Sequence, residues 1–542
     1  MHKLNWKYIL VFMIILCGGF LRFFKLSQYP IQLNHDEVSQ LYDVESIVQT
    51  GKDIYGNFLP LAFPSTGDYK IGHYIYISTI PYLLFGNKEF IIRIPAAFFG
   101  TLTILAVFLF VKVLTKNWII AILSAFLVSI NPSEIFYSRK SFENVIGVCL
   151  DFFGLFCLMN NFLNNKGKIW GFFGIFLLSL AMYIYTTHTI IVPLILILFA
   201  YSFRKQIYPQ KKHALFLFFT WIIFTVPLVV ITLINSGLRF RATSVFISQD
   251  TNLGRLISLN GNTIKSYLDF VFLKFLNQTN PVYLFANGLD LTNQSIIGIG
   301  PLLFAQFPLV ILGIIFIIKN KPFFYQGIFI LGLIIISFIP SAITFEDYSP
   351  HRAMFAFTNL SILSGFGLYY LFLYLKKNTN VKIRWVGLFM IFFVLFLNFV
   401  YFLRIYIGSY PFEKSEKIEY PMKEISLYTW SQYNNFNSII LDPKFGKIEP
   451  IIGVGIHYYL AYYGNISPAI FQKQYKVGNK QRELLFDKFS IRKVYWPEDK
   501  NLKNTLIIVS PWSVPLADVD ENLIIKRFYF YDGTLAFYAI KL

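Results

Sequence analysis

The run YILVFMIILCGGFLRFF, residues 8–24, is apolar along nearly its whole length, and a helix of that size rises about 1.5 Å per residue, nearly enough for a hydrocarbon core of ~30 Å. Close behind it comes QLNHDEVSQ, residues 32–40, where Asp36 and Glu37 stand side by side. A carboxylate at the centre of a bilayer costs about 2.5 to 3.5 kcal/mol on insertion scales. The doublet therefore belongs at a membrane interface or in a wet cavity, next to the first span.

The rest of the chain repeats the pattern. Its 542 residues are 56% hydrophobic and 19% aromatic but only 14% charged, more apolar surface than a soluble core absorbs. Eleven runs have lengths near what a bilayer demands: 8–24, 90–111, 118–136, 143–160, 169–186, 189–203, 214–234, 300–318, 323–340, 353–375 and 385–406. With a cytoplasmic N-terminus, the inner segments hold sixteen Lys and Arg, from Lys3 to Arg384, and no Asp or Glu. That is the positive-inside distribution. The formal charge of +19 is thus mostly topological, and a nucleic-acid partner is excluded as its explanation.

The same count places IGHYIYISTIPYLLFG, residues 71–86. As a span it would turn most later cations outward, so it is expected along the outer interface as a Tyr-rich amphipathic helix. Odd parity then puts the C-terminus outside. The three cysteines, Cys17, Cys149 and Cys157, fall in expected spans and imply no disulfide framework.

Residues 1–407 are read as one transmembrane domain with a first outer loop at 25–89 and a second at 235–299. Residues 408–542 change composition, with strand-like SIILD (438–442) and NTLIIVS (504–510) and a hairpin signal at Asp532-Gly533. They are expected to form a small extracytoplasmic α/β domain.

Two readings of the doublet stand together. NHDEVSQLYDVESIVQTG reads as a helix capped by Asn34 and ended by Gly51, and a helix start is also a rigid mount for a catalytic base. Other polar residues collect on the same membrane side: Asp68, Lys70 and His73, then Arg93, then Arg139, Lys140 and Glu143, then His351 and Arg352. Each cation alone reads as a snorkelling span end. As a set they suit a reaction in which a carboxylate takes a proton from an acceptor hydroxyl while cations stabilise a departing phosphate.

LNHDEVSQLYDVESIVQTGKDIYGN, GDYKIGHYIYISTIPYLLFGNKEFIIRIPAAFFGTLTILAVFLFVKVL and INPSEIFYSRKSFEN resemble glycosyltransferase family 39, the group of the protein O-mannosyltransferases and, more distantly, the bacterial aminoarabinose transferases. The resemblance covers the first ~200 residues well, the span pattern to 406 loosely, and the tail hardly at all. It implies a GT-C fold, a catalytic acid in the first outer loop and a polyprenyl-phosphate sugar donor. Carried over by position, it implies Asp36 and Glu37 as the catalytic acids, with Asp36 the base. Lys70, Arg93, Arg139, His351 and Arg352 fall at donor-phosphate positions, and Asp68 and His73 in support. The chain departs from the family in having Ile71-Gly72-His73 where prolines are frequent, and in a tail without a β-trefoil pattern.

The expectation is thus a polytopic α-helical membrane protein of the GT-C fold, an inverting glycosyltransferase of a cell membrane. It would move a monosaccharide from a polyprenyl-phosphate donor to a hydroxyl acceptor on the outer face. No cofactor is implied; a divalent metal, known in other GT-C branches, finds no second carboxylate pair here. The rival readings are a lipid-linked sugar flippase, for which Asp151 in the fourth span is the main mid-membrane charge, and a non-catalytic partner of cell-envelope assembly.

Overall fold

The computed structural model describes residues 6–65, 68–287, 295–446, 451–452, 455–477 and 483–542. In chain order, α1 (Trp6–Phe23) is followed by α2 (His35–Thr50), β1 (Ala62–Ser65), β2 (Asp68–Ile71) and α3 (His73–Phe85). Next come α4 (Ile94–Thr115), α5 (Trp118–Ser129), α6 (Pro132–Ser138), α7 (Asn144–Phe162), α8 (Lys168–Ile184), α9 (Thr186–Ser202) and α10 (Lys211–Ile234). The segment 235–299 contains α11 (Ser236–Ser244), α12 (Thr251–Asn260) and α13 (Thr263–Gln278), and α14 (Gln306–Lys319), α15 (Phe324–Ala342), α16 (Met354–Asn378) and α17 (Val381–Arg404) complete the apolar helices. Among the described residues, seven helices are long and apolar enough to cross a membrane; α5 and α6, bent by 56°, add an eighth if they form one span, and α8, α9 and α14 are apolar but shorter. The bend has a local cause. Asn131 caps α6 through the Glu134 amide, and Pro132 at its first turn has no N–H to continue the α5 ladder.

The chain divides into two compact units: the chain up to Leu26 together with Arg93–Tyr406, and Ser27–Ile92 together with Ile407–Leu542. The first is the helical bundle. Its helices approach closely where side chains are absent: a Cβ on Gly367 of α16 would overlap the Leu309 carbonyl oxygen of α14, the small-residue packing by which membrane helices associate.

In the second unit, Ser27–Ile92 and the tail fold together, although more than 300 residues separate them. The described residues of the tail carry a seven-stranded sheet in which β3 (Ser438–Leu441) pairs in parallel with β4 (Phe489–Ile491) and β5 (Thr505–Val509). The hairpin expected at Asp532-Gly533 joins β6 (Ile524–Tyr529) to β7 (Leu535–Lys541), with Gly533 at φ +83°. Helix α3 buries Tyr74, Ile75 and Ser78 and exposes Ile80, Leu83 and Leu84. At 13 residues it is too short to span.

Candidate active site

The doublet sits on the first turn of α2. Asn34 is the N-cap and accepts the Glu37 amide, while the Glu37 carboxylate returns to the Asn34 N–H at 3.4 Å, a complete capping box. Gly51 closes the helix in the left-handed region at φ 68°. Glu37 is buried at 3% exposure and faces the backbone. Asp36 points outward: its side chain is 51% exposed, and its Oδ1 lies 3.2 Å from Lys70 Nζ. The ammonium, at the middle of the β1–β2 hairpin, also donates to the Asp36 carbonyl at 3.2 Å and to Ser39 Oγ. Its three N–H bonds thus find three acceptors on one helical turn.

A residue from the tail locks this turn. Glu419 accepts the His35 amide at 3.0 Å, faces His35 Nδ1 at 2.8 Å and accepts the Tyr459 hydroxyl at 2.9 Å. Burial acts to lower the His35 pKa, but the Glu419 and Asp36 carboxylates outweigh it and raise it to about 9. Two turns further on, burial pushes the Asp43 carboxyl up to about 8, against the pull of Lys70 and the Ile54 amide. Burial also holds the His73 imidazole, at the start of α3, below its usual value. Asp68 opens β2, and its side chain lies outside the described residues.

The remaining candidates belong to the helical unit. Arg139 is engaged by backbone: its guanidinium donates to the carbonyls of Leu21 (2.7 Å), Arg22 (3.2 Å), Phe24 (2.8 Å) and Lys25 (3.3 Å). It closes the C-terminal end of α1, whose last carbonyls have no partner within the helix. Arg93, 1% exposed, donates to the Leu26 carbonyl at 3.0 Å. Lys140 lies 4.4 Å from the Phe136 ring centroid. Arg352, 5% exposed, differs in that its partners are side chains rather than carbonyls: Glu346 at 2.8 Å, itself 30% exposed, and the buried Ser349 at 2.9 Å. His351 stacks on Phe142.

Sequence reading missed the groups that hold these residues. Lys274 of α13, 2% exposed, pairs with Asp250 at 3.0 Å and donates to the carbonyls of Thr344, Phe345 and Glu346. It straps the loop that carries Arg352. Its signal was a lone Lys among apolar residues in VFLKFLNQ. Glu419 had no signal, being one of several charges in EKSEKIEY. Among the described residues, no group of three or more His, Cys, Asp or Glu is arranged to hold a metal ion.

Residues 73–231 match the family described as dolichyl-phosphate-mannose-protein mannosyltransferase. No curated protein matches the chain. Among solved structures, ArnT from Cupriavidus metallidurans bound to undecaprenyl phosphate is similar, with a TM-score of 0.55 at 12% identity over 98% of this chain and 97% of that one. The oligosaccharyltransferase of Archaeoglobus fulgidus in the apo form has a TM-score of 0.52 at 13% identity over 86% of this chain, which spans 64% of its length. The same archaeal enzyme, AglB, in complex with an inhibitory peptide and a dolichol-phosphate, gives 0.52 at 11% identity, over 86% of this chain and 64% of that one. The fold is that of the GT-C glycosyltransferases, a multi-pass membrane architecture with an additional sheet domain.

Proposed function

We propose that the protein is an integral-membrane inverting glycosyltransferase that moves a monosaccharide from a polyprenyl-phosphate donor to a hydroxyl acceptor on the outer face of a cell membrane. The observation that carries this reading is the Asp36 carboxylate, half exposed on a helix turn held by a capping box, Lys70 and Glu419. Such a mount gives a general base a fixed direction without burying it. Asp36 accepts the proton of the acceptor hydroxyl as the oxygen attacks the anomeric carbon; the bond from that carbon to the phosphate oxygen breaks, and the phosphate leaves with the electron pair. Lys70 orients the base. In the helical unit, Arg352, with His351 beside it, is the group suited to a lipid phosphate, since a guanidinium holds a phosphate in fork geometry. Arg93 and Arg139, engaged by carbonyls, take no part in the phosphate set. The similarity to structures whose names include undecaprenyl phosphate and dolichol-phosphate supports a lipid-phosphate donor.

A flippase would need an ionisable group in a wet site at mid-depth. Asp151 is fully buried and paired with His188 at 2.7 Å, which speaks for packing instead. The test uses purified protein in liposomes with undecaprenyl-phosphate-linked mannose, glucose or aminoarabinose and a cell-envelope extract as acceptor, following release of undecaprenyl phosphate. Asp36→Asn is expected to lower turnover by about 100- to 10,000-fold. Wild-type turnover in that variant would remove Asp36 from the role.

A further inference from the structure

The helical unit holds a buried polar chain that the reaction does not use. Asn144, Gly147 and Asp151 share one face of α7. The imidazole of His188, at the start of α9, lies against that face: Nδ1 is 2.7 Å from Asp151 Oδ2, and Nε2 is 2.7 Å from Asn144 Oδ1. A Cβ on Gly147 would overlap the ring at Nε2, so the glycine is the notch that admits it. Asn144 in turn donates through Nδ2 to the His351 carbonyl oxygen. That donation fixes the amide, so Oδ1 faces the ring and His188 must donate to it through Nε2. His188 Nδ1 and the Asp151 carboxylate then share the remaining proton, and the chain runs in one direction from Asp151 to His351. His188, Asp151, Asn144 and His351 are all at most 5% exposed. In such surroundings a hydrogen-bonded polar chain rigidifies what it touches, and only Asp151 Oδ1 is left without a partner in it.

We propose that Asp151, His188 and Asn144 are positioning residues: they anchor the His351 carbonyl and thereby the turn that presents His351 and Arg352. This rests on the reading above, in which that turn serves the donor phosphate. The backbone amide of Arg352 bonds the Ser349 carbonyl at 2.9 Å, and its side chain bonds Ser349 and Glu346. The turn is therefore a tight unit, and moving one carbonyl moves the guanidinium.

The test measures binding of undecaprenyl phosphate to the purified full-length protein by native mass spectrometry, as a double-mutant cycle of Asn144→Ala with Arg352→Ala. Asn144→Ala is expected to weaken binding about tenfold, the size of one lost hydrogen bond, and to have no further effect in the Arg352→Ala background. Gly147→Ala, which displaces the His188 ring, is expected to give the same pattern and replaces Asn144→Ala should that variant not fold. An equal loss in both backgrounds, or none in either, overturns the positioning role while leaving the donor reading intact. Equal binding by wild type and Arg352→Ala overturns the donor reading itself and removes the reason for the anchor.

Discussion

Adjacent carboxylates on one helix turn have different surroundings. Glu37 faces back to close the capping box, whereas Asp36 faces out beside Lys70. Replacing Glu37 by Ala is expected to lower stability by about 1 kcal/mol, the usual size of a lost cap, and to leave sugar transfer within a few-fold of wild type. Thermal unfolding and the liposome assay separate this outcome from the loss expected of Asp36→Asn. The cations divide in the same way. Arg139 closes α1 through four carbonyls, so Arg139→Ala strands buried acceptors. It is expected to cost about 2 to 3 kcal/mol while undecaprenyl phosphate binding persists, read by a fall in unfolding temperature beside an unchanged binding curve.

At the scale of elements, α2 depends on a partner from the far end of the chain. The His35–Glu419 pair, with the Asp36 carboxylate nearby, raises the His35 pKa from 6.5 to about 9. A raised histidine pKa means that the folded state binds the proton more tightly than the unfolded one. The pair's contribution is therefore full below pH 6.5 and is lost as the pH climbs through 9. With His35 at 22% side-chain exposure, the contribution is about 3 kcal/mol at most. Thermal unfolding of the full protein from pH 6 to pH 10 should show wild type losing its advantage over His35→Gln across that interval; a constant gap would remove the ion pair from the account. Asp43, raised by burial to about 8, weakens the fold as the pH rises from the ordinary carboxylate range to 8. That slope is common to both proteins and leaves their difference intact.

At the scale of the molecule, Ser27–Ile92 folds with the tail rather than with the helices on either side of it in sequence. The positive-inside rule predicts that the lysine-rich, acid-free segments of the sequence face the cytoplasm. On intact cells carrying a cysteine-free background, an impermeant maleimide is expected to label Asn465→Cys in the tail and to spare Lys166→Cys until the membrane is opened. The reverse pattern would invert the topology and move Asp36 to the inner face.

Hydropathy, the bias of Lys and Arg between segments, the Asn34 and Gly51 caps and the Asp532-Gly533 turn were legible because each depends on residues a few positions apart. The short 71–86 segment was resolved by the charge count, and α3 has the length that reading required. What each polar side chain does was not legible in this way. Arg139 looks the same in sequence whether it meets a phosphate or the end of α1, and a lone Glu at 419 carries no mark of its bond to His35. The sequence by itself determined which segments are apolar enough for lipid and where capped helices begin, since solvation and backbone capping act locally. Only the tertiary structure decided which charges are presented and which are held, because a hydrogen bond requires atoms within about 3 Å, and packing alone brings together residues hundreds of positions apart.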